Sequence, residues 1–271
     1  MENCRVCNSK LVFHEKLTKD LGEKEKIYVC KTCKTYFINP KPFSYDSSEE
    51  NLVSYYKDRE AGTIERLENV FTKFITINST GKCILDIGAA IGYSGIVAKQ
   101  LNMDYIGIEP NKTLFENAIK HVNLINDYFP SDKVTNKFDF ILLDNVLEHV
   151  YNPKEFFDKV IQWLNPGGVL FLAVPPQDWL RVFLSTNKLI QNAPEGISRR
   201  FTLFYDLQQH VNYFSYTSIR YLVNNHKDLK IIEQFHRKEW ALQIYKLLHL
   251  TTGQYFIQKD YNVSLSNNHN L

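Results

Sequence analysis

Between residues 82 and 176, short apolar runs alternate with stretches of helical spacing, and this alternation restricts the fold more than any other feature of the chain. CILDIG, DYIGIEP, FDFILLD and GGVLFLAVP are strand-length and apolar enough to be buried on both faces; NLIND is a weaker run. Between them IGYSGIVAKQL, LFENAIKHV and PKEFFDKVIQWL read as helices. Alternation of this kind predicts an α/β fold, a mostly parallel sheet with helices on both faces. Upstream, NLVSYYKDREAGTIERLENVFTKFI repeats apolar residues at three- and four-residue steps (Ile64, Leu67, Val70, Phe71, Phe74) and predicts one long amphipathic helix. The 271 residues allow one full domain, at about 150 residues each, and a small appendage. A hydrophobic content of 44% is enough for a sizeable core and excludes wholesale disorder. The net charge of +2 gives no support to holding nucleic acid by charge alone.

The appendage is at the start of the chain. Four of the five cysteines fall there, as Cys4-x-x-Cys7 and Cys30-x-x-Cys33 with twenty-two residues between the pairs. The fifth, Cys83, reads as a small core residue. Thiolates are soft ligands, four of them suit tetrahedral zinc, and a hairpin in the spacer can bring the pairs together. With sulfur at all four positions the ion holds the fold and performs no chemistry. Redox Cys-x-x-Cys pairs and unmetallated thiols are the alternatives, and such a ribbon can also dock a protein partner. Residues 1–45 are read as the ribbon and 46–271 as the second domain, with the Pro-bearing INPKPFSYDSSEE as the link. No run approaches the roughly 18 apolar residues of a membrane span, and the polar N-terminus lacks a signal-peptide core. The expectation is therefore a cytoplasmic chain with reduced thiols.

Ile84-Leu85-Asp86-Ile87-Gly88-Ala89-Ala90-Ile91-Gly92 lies between the first strand and its helix. Gly88 lets the backbone turn sharply and a ligand approach, although an ordinary strand-to-helix turn has the same look. Glu109 ends the next strand, where an acid can accept hydrogen bonds from a ribose diol. Asp127 and Tyr128 end the third, and Asp144 and Asn145 the fourth, all on one rim of the sheet. In this order, LDIGAAIG, GIEP, NDY, FDFILLDNVLEHV and LNPGGVLFLAVP resemble the class I S-adenosylmethionine-dependent methyltransferases, whose sheet is Rossmann-like. The resemblance implies S-adenosylmethionine as cofactor. It places Asp86 and Gly88 near the methionine part, Gly92 at the turn, Glu109 on the ribose, and Asp127 with Tyr128 at the adenine. Asp144 and Asn145 join the same cofactor rim. Ala90 stands where the family commonly has glycine, which is tolerated if the backbone stays out of the left-handed region. Tyr55 and Tyr56 can cover the cofactor; plain core packing is the other reading.

At the reacting end an alcohol acceptor needs a base. His149, in Leu147-Glu148-His149, matches a histidine of many small-molecule O-methyltransferases. His210 lies in Gln209-His210-Val211-Asn212-Tyr213-Phe214-Ser215, similar to an E-H-x-x-Y-F-S string of sugar and glycan methyltransferases. Gln209 replaces the acid of that string, so the expectation is a lone histidine with no acid beside it. Tyr213, Arg199 and Arg200 are assigned to the acceptor, the arginines as a clamp on phosphate or carboxylate or simply as a solvated pair. All belong to an inserted substrate cap, residues 177–215, expected over the strand ends. The cysteine-rich start joined to this core resembles methyltransferases of surface-polysaccharide and nucleotide-sugar pathways. Sugar C-methyltransferases share these features, but Gln209 and a chain too short for their usual further C-terminal domain favour O-methylation of a sugar, sugar phosphate or glycan. Nucleotide-sugar C-methylation, RNA methylation and a non-catalytic partner-binding protein are the alternatives.

Overall fold

The computed structural model describes residues 3–15, 26–38, 49–177, 210–235 and 253–261. Among them the α/β expectation holds. The main sheet has seven strands: β4 (Cys83–Ile87), β5 (Asp104–Ile108), β6 (Leu124–Ile125), β7 (Phe138–Asp144), β8 (Leu164–Ala173), β10 (Leu229–Gln234) and β11 (Gln254–Lys259), in the order β10-β11-β8-β7-β4-β5-β6. From β6 to β8 every pairing is parallel; β11 and β10 close the far edge antiparallel. Side chains alternate between faces, as a strand period of two requires. Leu85, Ile87, Ile141, Leu143, Leu170 and Leu172 point to a core capped by α5 (Pro153–Gln162) and α6 (Tyr216–Asn224). Ile84, Phe140, Leu142, Val169 and Phe171 point to a second core under α2 (Glu60–Ile77) and α3 (Tyr93–Gln100).

The chain steps from β4 to β5 and β6, then returns to the other side of β4 with β7 and β8. This reversal opens a crevice at the carboxyl ends of β4 and β7, the place where open α/β sheets bind ligands.

Two helical expectations need correction. The long upstream helix is two, α1 (Glu49–Lys57) and α2, because Asp58 and Arg59 leave the helical path. The Ser54 hydroxyl donates to the Asp58 carboxylate at 3.4 Å, and Arg59 reaches back to the Tyr55 carbonyl at 3.0 Å, local bonds that compete with helix propagation. LFENAIKHV is helical only to Glu116, as α4 (Lys112–Glu116). Beyond it the Ile119 N–H is taken by the Ile91 carbonyl at 2.9 Å, which pulls the chain onto the turn after β4.

A second sheet contains β1 (Leu11–Phe13), β2 (Ile27–Cys30), β3 (Tyr36–Ile38) and β9 (Asn212–Tyr213), all antiparallel. Its last strand comes from far down the sequence, and the cysteine-bearing core (Cys4, Val6, Leu11, Phe37) runs on without a break into Phe214, Ile219 and the main sheet. Arg5 spans the join: its guanidinium lies 4.9 Å from the Phe37 ring and 4.6 Å from the Tyr151 ring and donates to the Val211 carbonyl at 3.0 Å. No helix among the described residues is long and apolar enough to cross a membrane.

Candidate active site

The turn after β4 is built on three residues with positive φ: Gly88 at 77°, Ala90 at 50° and Gly92 at 90°. At Gly88 a Cβ would lie 2.6 Å from a methyl of Val146, so glycine is needed there for space as well as for conformation. The same contact sets this turn against the loop that follows β7. Ala90 is in the left-handed region, contrary to the condition under which alanine was expected to be harmless. It is held there by its N–H, which donates to Glu109 Oε2 at 2.8 Å. Left-handed backbone costs a non-glycine residue about 1 kcal/mol. Ala90→Gly is therefore expected to stabilise the protein by about that amount, read as a rise of a few degrees in Tm.

Glu109 is buried, and its other oxygen accepts the Asn111 N–H at 2.8 Å. Burial raises its proton affinity, and the two backbone donors oppose that. Its carboxylate is thereby fixed at the end of β5, each oxygen retaining a lone pair for a ligand hydroxyl. Asp86 is fully enclosed; its carboxylate accepts from the Ser94 hydroxyl and, at 3.0 Å, from Tyr105. Burial pushes it up to about 7 against these bonds. Its oxygen Oδ2 thus binds the start of α3 and a side chain of β5, bracing the turn from behind.

Asp127 and Tyr128 stand on the same rim. The Asp127 carboxylate takes the Ser131 hydroxyl and the Tyr128 N–H, both at 2.8 Å, which lower its pKa, and the Tyr128 ring is 75% exposed. Tyr55 is exposed beneath Arg59, whose guanidinium is 3.8 Å from the ring; Tyr56 is half-buried against the second core.

Asp144, at the end of β7, forms an ion pair with Arg66 of α2 and accepts from the Asn145 side chain at 2.9 Å. Asn145 itself is in the left-handed region at φ 56°. A single 3-10 turn follows, Leu147–His149, and brings Glu148 inward and His149 to the surface. The Val211 N–H donates to the Glu148 carbonyl at 2.9 Å, and the Asn212 side chain donates to the Val150 carbonyl at 2.6 Å. These bonds bring His210 onto the turn: its ring centroid is 4.9 Å from that of His149. His210 therefore does have an acid beside it, a correction to the lone-histidine expectation. The acid is Glu148, from another segment, and burial pushes its carboxyl up to about 8. Tyr213 is buried, its hydroxyl donating to the His210 carbonyl at 3.4 Å. Arg199, Arg200 and Gln209 lie outside the described residues, as does most of the 177–215 cap.

Apart from this rim, Cys4, Cys7, Cys30 and Cys33 converge, with Sγ–Sγ separations of 3.5 Å for Cys4–Cys33 and 3.3 Å for Cys7–Cys30. Tetrahedral sulfurs about 2.3 Å from an ion stand roughly 3.8 Å apart, so the set fits one metal with little movement. Both halves repeat one turn. Asn8 and Lys34, at φ 60° and 62°, donate back to the carbonyls of Cys4 and Cys30, while Cys7 and Cys33 N–H groups point at the sulfurs of Cys4 and Cys30. Such N–H donors favour thiolate over thiol.

A family profile described as a methyltransferase domain matches residues 57–234, more than half of the chain. The chain belongs to the methyltransferase domain family. It is 24% identical over 152 residues to the carboxy-S-adenosyl-L-methionine synthase of Actinobacillus succinogenes, covering 48% of this chain and 61% of that protein. It is 30% identical over 129 residues to the ubiquinone biosynthesis O-methyltransferase of Mesorhizobium japonicum, covering 45% and 50%. The chain thus spans about half to three fifths of the length of these relatives. Among solved structures, the plantazolicin methyltransferase BpumL in complex with SAH superposes with a TM-score of 0.54 at 17% identity, covering 80% of this chain and 91% of that one. A putative O-methyltransferase from Nostoc punctiforme gives 0.54 at 15% identity, covering 81% and 65%. At these identities the likeness concerns the fold.

In this methyltransferase domain, residues that sequence reasoning did not single out complete the rim. Arg66 neutralises Asp144, and Ser94 and Tyr105 satisfy Asp86. Glu148 was visible only as part of a motif string. Its signal was an acid inside an otherwise apolar turn, Val146-Leu147-Glu148, since a buried carboxylate is uncommon without a task.

Proposed function

We propose that this chain is an S-adenosylmethionine-dependent O-methyltransferase acting on a sugar, sugar phosphate or glycan, with zinc in the four-cysteine ribbon as a structural ion. S-adenosylmethionine supplies a methyl group on a sulfonium sulfur. Glu109 is placed to receive the ribose, Asp127 and Tyr128 the adenine, and Asp86 and Gly88 the turn beside the methionine part. The observation that carries the reading is the Glu148–His149–His210 cluster at the turn after β7, where the adjacent Val146 packs against Gly88. There His210 or His149 would take the proton of the acceptor hydroxyl, and the cofactor would supply the methyl group. The sugar acceptor is supported by the cysteine-rich start and the His210 string, and reduced thiols fit a cytoplasmic setting.

Calorimetric titration with S-adenosylhomocysteine tests the reading. One site per chain is expected, weakened roughly ten- to a hundredfold by Glu109→Ala, since hydrogen bonds to a charged group contribute about 1.5–3 kcal/mol. A folded protein with no affinity for it overturns the assignment.

One observation favours sugar C-methylation as a second reading: Glu148 restores beside His210 the acid that Gln209 lacks. Exchange of a carbon-bound proton of the acceptor into deuterated solvent separates the two.

A further inference from the structure

We propose that Glu148, His149 and His210 form a second metal site, distinct from the four cysteines, which takes a divalent first-row cation and presents it to a hydroxylated acceptor. Glu148 is 1% exposed, and neither carboxylate oxygen has a hydrogen-bond partner among the described residues. A carboxylate taken out of water without a partner is costly and is normally retained where a cation or donor meets it. Here two imidazoles meet it, from segments more than sixty residues apart in sequence. His149 Nε2 is 3.9 Å from Glu148 Oε1, and one ligand atom of each of the three residues lies within 4.8 Å of the others. The two rings meet edge to face at 69° and are not stacked.

Ligand atoms about 2.1 Å from one ion stand roughly 3.0–3.4 Å apart, so rotations of these side chains by about an ångström close the site. The backbone is already in place, because the Val211–Glu148 and Asn212–Val150 bonds fix the two segments irrespective of any ion. Two imidazoles and one carboxylate leave coordination positions open, unlike a closed set of four sulfurs. His149 is 36% exposed, which leaves an approach from solvent. A hydroxyl, or two neighbouring hydroxyls such as a sugar diol, is the ligand class suited to those open positions. The role in methyl transfer rests on the O-methyltransferase reading; the site itself rests on geometry alone.

The probe is Mn²⁺, added to full-length protein carrying one zinc per chain and followed by the loss of the free-ion paramagnetic resonance signal. One Mn²⁺ per chain is expected. Glu148→Gln and His210→Gln are each expected to weaken it at least tenfold without changing S-adenosylhomocysteine affinity. His149→Gln, at an exposed position, provides a third variant should the buried change disturb folding. Absence of Mn²⁺ binding at millimolar concentration, or binding unaltered in all folded variants, overturns the proposal. Should Mn²⁺ bind as expected while S-adenosylhomocysteine does not, the methyltransferase reading fails and the metal site stands.

Discussion

His210→Ala is expected to lower turnover by roughly a hundred- to ten-thousandfold, the range over which a positioned acid–base group contributes, while S-adenosylhomocysteine affinity stays within twofold. Its ring lies next to Glu148 and His149, whereas Glu109, the proposed ribose ligand, stands at the end of β5. Removing the imidazole also leaves the buried Glu148 with one facing group fewer, so the loss falls on the chemical step and not on cofactor capture. Transfer of a labelled methyl group to an acceptor identified by screening provides the measurement. Activity equal to that of the unaltered protein removes His210 from the mechanism.

The other large effect is expected at the ribbon. Cys30→Ser should reduce zinc from about one per chain to little or none, since structural zinc sites carry on the order of 10–16 kcal/mol of apparent binding energy that small domains convert into folding. The damage should extend beyond the hairpin. The Cys33 carbonyl accepts the Ser218 hydroxyl at 3.0 Å, and β3 pairs with β9, whose preceding residues include His210. Tm should drop by about 10 °C, corresponding to several kcal/mol for a domain of this size. Amide exchange should quicken at residues 211–218 before it does in β4 or β7. Full retention of metal in this variant rules out the four-cysteine assignment.

The parts that could be read from the sequence are those with local causes. Asp86 apart, Ile84-Leu85-Asp86-Ile87 and Phe140-Ile141-Leu142-Leu143 are apolar on both faces because both faces are covered, and so they announce themselves as central strands. Gly88 and Glu109 were legible because a turn and a strand end make local demands on residue type. What escaped depends on contacts between distant segments. Nothing near Arg66 shows that it meets Asp144, 78 residues on, nor near Glu148 that His210 closes on it. The two-residue strand β9 is too short to carry any periodicity. At Ala90 the chemistry of the residue pointed away from its actual conformation, which is held by the hydrogen bond that its N–H donates to Glu109.

The pairing of β3 with a strand made far later in the sequence has a bearing on biosynthesis. As the polypeptide leaves the ribosome, the four cysteines emerge early, but the edge of β3 that pairs with β9 stays uncovered until Asn212 and Tyr213 have been made. For that interval the nascent ribbon displays an unpaired strand edge, the kind that recruits strands from neighbouring chains. A ribbon expressed by itself keeps that edge permanently, so it should self-associate more readily than the whole chain.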